Sequence, residues 1–132
     1  MDHFPQPLQF EVLESAHKKL RVKLLAPFTY VDEIEGRPIK IEVKESFDTD
    51  FNSVPQGLWN LFPPTAYPEA GVVHDYIYRY NGMTRKEADG VHRRILEILG
   101  ASWWLRWAAY GFLRTFAGKT WDKYRAAEAQ HD

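Results

Sequence analysis

The 132-residue sequence contains no cysteine. This absence excludes a disulfide framework, a thiolate nucleophile and a zinc site with thiolate ligands, and it fits a reducing compartment. Long apolar runs are also missing. The nearest candidate for a membrane span, residues 101–117, is interrupted by Arg106 and Arg114, and it is shorter than the about 20 residues that a spanning helix needs. The first residues, MDHFPQPLQF, lack a basic region followed by an apolar run, so we expect neither a secretory signal nor a membrane-spanning protein.

Apolar side chains are nevertheless abundant enough for a folded core. Hydrophobic residues make up 45% of the chain and aromatic residues 15%, which predicts a single domain over residues 1–132. The net charge of −1 is unevenly distributed, because residues 1–78 hold 7 basic and 12 acidic side chains whereas residues 79–125 hold 10 basic and 4 acidic ones. The basic half suits an anionic partner such as phospholipid headgroups, nucleic acid or an acidic protein, with a solvated helical surface as the alternative. No recognised groove-reading nucleic-acid motif is present.

An alternating pattern of β-forming residues marks the first third of the chain. The segments 8–14, 20–31 and 39–47 each alternate apolar with polar residues and are separated by turns. This pattern predicts about three antiparallel strands. Pro27 cannot donate a ladder hydrogen bond, so it predicts a bend or an edge position late in the second strand.

The pattern becomes helical after a proline-rich loop. Thr84 and Glu87 form a capping-box pair, and Gly100 follows the helix that they begin. The fold class is therefore α+β, with a small N-terminal antiparallel sheet, a loop and a three-helix C-terminal half. The predicted segments are strands at about 8–47, the loop at 48–67, helices at about 68–117 and an amphipathic tail at 118–132.

His74 and its neighbours form the candidate catalytic cluster. His74 and Tyr78 lie four residues apart, on one face of the predicted helix. Histidine serves as a general base near neutral pH when a carboxylate holds its second ring nitrogen. Asp89 is suited to that role, because a short connection returns the next helix antiparallel to the first. Asp75 then remains available as a ligand for a hard cation, and a hydrogen-bonded core histidine is the alternative interpretation.

The upstream loop supplies oxygen atoms for the same site. Asp48, Asp50, Asn52 and Ser53 lie in the segment FDTDFNSVP, and carboxylate, amide and backbone oxygens are the ligands that Ca²⁺ prefers. Asp50 together with Asp75 is therefore a candidate metal site. The alternative is that Asp50 and Ser53 cap turns through hydrogen bonds to the backbone.

Several motifs in order resemble a family of small uncharacterised proteins encoded by bacteriophages and prophages. The resemblance extends from about Phe47 to Gly118 and rests on TDFNSVP, Trp59, PP at 63–64, HDYIY, RKEAD and YGFLRTFAG. It implies a protein that is made in the bacterial cytoplasm. We also expect from it that the protein is incorporated into the virion and contacts other virion or tail proteins. The family has no established activity.

A second resemblance concerns the chemistry of the cluster. HDYIYRYN followed by RKEAD is similar to the helix pair of prokaryotic phospholipase A2. The resemblance implies that His74 activates water, that Asp89 orients His74 and that the Tyr78 hydroxyl steadies this pair. It also implies a calcium ion that is held by Asp75 and Asp50 and that polarises an ester carbonyl.

The two resemblances leave two functions open. One is a cation-dependent hydrolase acting at the cell envelope. Trp103, Trp107 and Arg114, on nearby faces of the third helix, would then suit a lipid surface. The alternative is that this helix packs its apolar area against the hairpin and the sheet. The other is a non-catalytic virion, tail or assembly component in which the histidine cluster is structural.

Overall fold

The computed structural model describes residues 1–16, 19–51, 53–61, 63–80 and 82–131. Asn52, one of the oxygen donors considered above, lies outside these ranges. The chain divides into two compact units, an N-terminal unit of Met1–Asp50 and a C-terminal unit of Phe51–Asp132. The N-terminal unit is built from antiparallel strands and the C-terminal unit from helices, which confirms the α+β class.

The N-terminal unit contains two small antiparallel sheets. One has the strand order β1-β2-β5 and the other pairs β3 with β4. Leu20, Val22 and Leu24 of β2 are buried at alternating positions, as the period of a strand requires. The strands are β1 (Phe10–Ala16), β2 (Lys19–Leu24), β3 (Phe28–Ile34), β4 (Arg37–Val43) and β5 (Asp48–Thr49).

The predicted strand over 20–31 is two strands in different sheets. β2 ends at Leu24 and β3 begins at Phe28, with Pro27 in the connection, where its missing N–H costs no ladder hydrogen bond. The β3–β4 hairpin closes at Glu35 and Gly36, which both have positive φ angles of 53° and 76°. Two successive residues with positive φ form the turn that matches the twist of antiparallel strands.

The C-terminal unit consists mainly of helices, and three of them lie within the predicted range of about 68–117. Thr84 accepts a hydrogen bond from the Glu87 N–H and the Glu87 side chain accepts one from the Thr84 N–H, so the predicted capping box is present. Gly100, with φ of 88°, follows the next helix end. The helices are α1 (Gln56–Trp59), α2 (Pro68–Tyr80), α3 (Arg85–Ile98), α4 (Trp103–Phe116) and α5 (Gly118–His131), with a 3₁₀ turn at Pro64–Ala66.

The segment expected to be a tail is the helix α5. Its Arg125 guanidinium donates to the carbonyl oxygens of Tyr78, at 2.5 Å, and Arg79, at 3.3 Å. These carbonyls lie in the last turn of α2, where backbone oxygens have no partner within the helix. The Trp121 ring also meets the Tyr78 ring edge-on, with centroids 5.1 Å apart. These tertiary contacts hold α5 against α2.

The helix α4 buries one narrow stripe. Leu105, Ala109 and Leu113, spaced four residues apart, are buried, whereas Trp103 and Trp107 are exposed. None of the helices in the described part of the chain is both long and apolar enough to cross a membrane.

Candidate functional site

The candidate site is centred on the buried face of α2. His74 and Tyr78 lie one helical turn apart, and their ring centroids are separated by 4.2 Å. Both side chains are fully buried. Because a buried imidazole must find partners for its two nitrogens, the neighbouring polar groups decide what this ring can do.

Both ring nitrogens of His74 are hydrogen-bonded. Nε2 lies 2.7 Å from Asp89 Oδ1, and Nδ1 lies 2.9 Å from the Ser53 hydroxyl oxygen. An ionised carboxylate only accepts hydrogen bonds, so the proton of a neutral His74 ring is on Nε2 and is donated to Asp89. The lone pair of Nδ1 then accepts the hydrogen bond that the Ser53 hydroxyl donates.

Asp89 is held in its ionised form by its partners. The Tyr78 hydroxyl donates to Oδ1 at 2.6 Å, and the Arg114 guanidinium donates to Oδ2 at 2.9 Å. Burial alone would raise the pKa of the Asp89 carboxyl, but the hydrogen bond from His74 and the electrostatic interaction with that ring lower it. The hydrogen bonds from Tyr78 and Arg114 lower it further, and the resulting pKa lies below its ordinary value.

Tyr78 remains a hydrogen-bond donor at physiological pH. Burial raises the pKa of its hydroxyl, and the adjacent negative charge of Asp89 raises it further. The phenol therefore keeps its proton and directs it at the carboxylate. This arrangement fixes the position of Asp89 beneath the imidazole.

Ser53 reaches His74 because the loop before α1 approaches α2 closely. Phe51 adopts a left-handed conformation with φ of 57°, and the Val54 N–H closes a turn on the Phe51 carbonyl oxygen at 2.9 Å. The Phe51 ring packs directly on Gly71, one turn before His74 in α2. A Cβ atom at Gly71 would lie 2.8 Å from Phe51 Cδ1 and 2.9 Å from Cε1. Glycine at position 71 is therefore required for this approach.

We expect the substitution Gly71→Ala to destabilise the C-terminal unit by about 1–3 kcal/mol, the usual cost of overpacking a core. The added methyl group must displace the buried Phe51 ring, which also moves the turn that carries Ser53. Urea denaturation followed by tryptophan fluorescence measures the effect. All five tryptophans lie within Phe51–Asp132, so the fluorescence reports on this unit.

The matched control for this prediction is Gly111→Ala in α4. A Cβ atom at Gly111 meets no atom within 4 Å, so alanine should be neutral or stabilise the helix by up to about 1 kcal/mol. Equal stabilities of the two variants would contradict the proposed close packing at Gly71.

Asp75 lies beside the histidine but faces different partners. Its Oδ1 accepts a hydrogen bond from the Ser53 N–H at 3.3 Å, and its Oδ2 lies 3.2 Å from an Arg79 nitrogen. The guanidinium takes the place beside this carboxylate that a cation would occupy. Within the described ranges no group of three or more His, Cys, Asp or Glu side chains is arranged to hold a metal ion.

Asp50 belongs to the N-terminal unit, of which it is the last residue, and its side chain is exposed. The pairing of Asp50 with Asp75 at a calcium ion stays a prediction. No chemical step proposed below uses a metal.

A second buried histidine packs against the first. The His92 ring meets the His74 ring edge-on, with centroids 5.3 Å apart. Burial lowers the pKa of His92 to about 3, and the charge of His74 lowers it while that of Asp89 acts in the opposite direction. Among the described residues, its Nδ1 atom has no hydrogen-bond partner. His92 is therefore neutral and supplies packing rather than charge.

A family model described as "Protein of unknown function (DUF1353)" matches residues 22–112. The match covers more than half of the chain. The chain belongs to the DUF1353 family. This confirms the expected membership of a family without an established activity, whereas the phage origin and the likeness to phospholipase A2 stay predictions. No curated protein and no solved structure matches the chain.

The DUF1353 region contains the whole of the hydrogen-bonded chain from Ser53 through His74 to Asp89. The structure brings together His74, Tyr78 and Asp89 as the sequence pattern predicts, and their catalytic roles stay predictions. The contact of Ser53 with His74 was not predicted, although Ser53 is among the predicted oxygen donors of the loop.

Arg114, which lies beyond the DUF1353 match, was also missed as a partner of Asp89. The sequence predicts Arg114 near Trp103 and Trp107, on nearby helix faces that would suit a lipid surface. No local periodicity links it to a carboxylate 25 residues away, so no pattern in the sequence identifies this ion pair.

Proposed function

We propose that the chain is a hydrolase of esters or related carbonyl compounds in which His74 is the general base. The observation that carries the proposal is the pair of hydrogen bonds to the His74 ring. A buried carboxylate lies at Nε2, and a hydroxyl group lies at Nδ1. In this arrangement Nδ1 is directed at a group whose proton it can remove.

The chemistry follows from the partners of the ring. When Nδ1 takes a proton from the attacking nucleophile, the ring becomes positively charged, and the adjacent Asp89 carboxylate stabilises this charge. Tyr78 and Arg114 keep Asp89 ionised and in position. General-base assistance of this kind contributes a factor of about 10²–10⁴ to a reaction rate.

The proposed hydrolase is encoded by a phage and acts at the cell envelope. Three tryptophans of α4, Trp103, Trp104 and Trp107, are exposed. The Arg93 guanidinium lies over the Trp107 ring at 4.3 Å. Exposed tryptophan together with arginine is typical of surfaces that contact lipid headgroups.

Turnover of a substrate panel tests the proposal. The panel contains p-nitrophenyl esters with short and long acyl chains and phosphatidylglycerol vesicles, each assayed with added calcium and with a chelator. We expect hydrolysis by the unaltered chain and loss of at least about 10²-fold in His74→Gln. His3→Gln, in the N-terminal unit, is the matched control and should retain full activity. Full activity of His74→Gln would contradict the proposal.

The second candidate is a non-catalytic virion or assembly component. The observation that favours it is the complete burial of the cluster, since Ser53, His74, Tyr78 and Asp89 have no exposed surface. In that case no member of the panel is hydrolysed, while substitutions in the cluster still lower the stability of the C-terminal unit.

A further inference from the structure

We infer that Ser53 is the nucleophile of the proposed hydrolase and forms a covalent acyl intermediate. This inference rests on the proposed function and adds the identity of the attacking atom, which that function alone leaves as either water or a side chain. Ser53 Oγ lies 2.9 Å from Nδ1, the nitrogen that does not face Asp89. Among the described residues, Ser53 is the hydroxyl-bearing residue hydrogen-bonded to the His74 ring.

The three side chains form a continuous hydrogen-bonded series. Ser53 donates to His74, and His74 donates to Asp89, with separations of 2.9 and 2.7 Å. Both distances lie within the 2.6–3.2 Å reach that nucleophile and base need. A serine hydroxyl is weakly nucleophilic by itself, and an adjacent histidine that removes its proton during attack activates it. Serine, histidine and aspartate triads recur on unrelated folds with Nε2 facing the serine and Nδ1 facing the aspartate. In this chain the two ring nitrogens are exchanged, because Nδ1 faces Ser53 and Nε2 faces Asp89.

The backbone around Ser53 holds the hydroxyl in place. The Ser53 N–H donates to Asp75 Oδ1 at 3.3 Å, and the preceding Phe51 is fixed against Gly71. Trp59 Nε1 donates to the Val54 carbonyl oxygen at 3.2 Å on the following side. Contacts on both sides of Ser53 therefore restrict the orientation of Oγ toward His74. Ser53 and His74 have no exposed surface in this structure, so the side chains that cover Oγ must move aside before a substrate carbonyl can reach it.

The reaction proceeds in two balanced steps. In the first step, Ser53 Oγ forms a bond to the substrate carbonyl carbon while its proton passes to His74 Nδ1. The bond between that carbon and the alcohol oxygen then breaks, and the leaving alcohol takes the proton from Nδ1. In the second step, water attacks the acyl carbon, its proton passes to Nδ1, and Ser53 Oγ leaves with that proton. The Nε2 proton remains hydrogen-bonded to Asp89 throughout.

Covalent labelling tests this inference. The full chain is incubated with p-nitrophenyl acetate and, separately, with an alkyl fluorophosphonate, and the product is analysed by intact mass and peptide mapping. We expect one acetyl or phosphonyl group on Ser53, no such label in Ser53→Ala or His74→Gln, and loss of turnover in both variants. Ser102→Ala, at an exposed serine, is the matched control and should be labelled at Ser53 like the unaltered chain. Melting of each variant verifies that it is folded.

The outcomes separate this inference from the function on which it rests. If Ser53→Ala keeps its turnover and His74→Gln loses it, water is the direct nucleophile, so the role of Ser53 is overturned and the hydrolase proposal stands. If the unaltered chain hydrolyses esters but shows no label on Ser53, the inference is likewise overturned. If neither variant loses turnover, both proposals fail. Acylation of the new thiol in Ser53→Cys that is lost when His74→Gln is added would support a nucleophile activated by His74 at this position, even if Ser53→Ala unfolds.

Discussion

Asp89→Ala is expected to destabilise the C-terminal unit by about 3–5 kcal/mol, the usual cost of breaking a buried ion pair on one side. The carboxylate is fully buried and accepts from Tyr78 and Arg114 while it faces His74 Nε2. Alanine offers no acceptor to these three groups. The buried His74 and Tyr78 must then remain without this partner or recruit water, whereas the partly exposed Arg114 can turn to solvent. Urea denaturation followed by tryptophan fluorescence measures this loss in the unit that contains the cluster.

Two further variants make the measurement specific. Asp122→Ala removes an exposed carboxylate from α5 and should change the stability by no more than about 0.5 kcal/mol. Asp89→Asn retains an acceptor oxygen but not the charge. We therefore expect its loss of stability to be smaller than that of Asp89→Ala and larger than that of Asp122→Ala. A loss below about 1 kcal/mol in Asp89→Ala would show that the network contributes little to the folded state.

The second large effect concerns His92 and pH. We expect the C-terminal unit to lose about 3 kcal/mol of stability between pH 6.5 and pH 4 through this residue alone. The pKa of His92 is lowered to about 3 in the folded chain by burial, whereas an unfolded histidine has a pKa of about 6.5. Between these values the unfolded chain binds a proton at His92 that the folded chain does not bind. Stability therefore falls as the pH falls through this window.

Substitution of His92 isolates its contribution. His92→Leu and His92→Gln carry no ionisable group at this position, so both should flatten the dependence of unfolding free energy on pH between 6.5 and 4. The lowered pKa of Asp89 adds its own loss of stability only as the pH falls through the acidic range near and below about 4, which keeps the two effects apart. If the unfolding free energy depends on pH equally in the unaltered chain and in both variants, a buried neutral His92 is ruled out.

Helix boundaries were predictable where the chain carries local stop and start residues. The capping box at Thr84 and the glycine at position 100 fix the ends of α3 through contacts within a few residues. The helix α5 was not predictable in the same way, because Arg125 and Trp121 stabilise it against α2. The division of the 20–31 segment also depends on which strands pair, and that choice is made by tertiary contacts rather than by alternation.

The candidate site was predictable to the extent that it is local. The spacing of His74 and Tyr78 places them on one helical face, and the short connection brings Asp89 back to them. Ser53 reaches His74 across 21 residues through a loop whose path depends on the packing of Phe51 against Gly71. No periodic pattern encodes such a path, so the sequence identifies Ser53 as an oxygen donor but does not identify its partner.

The ion pair between Arg114 and Asp89 also constrains the order in which the C-terminal unit folds. The hairpin of α2 and α3 contains contacts between residues close in sequence, so it can form early. Its buried carboxylate acquires the guanidinium partner only when α4 arrives from 25 residues further along the chain. Until then, Asp89 Oδ1 has its partners His74 and Tyr78 within the hairpin, but Oδ2 lacks the Arg114 hydrogen bond, so water must solvate that oxygen. Dehydration of the cluster and docking of α4 are therefore one cooperative event.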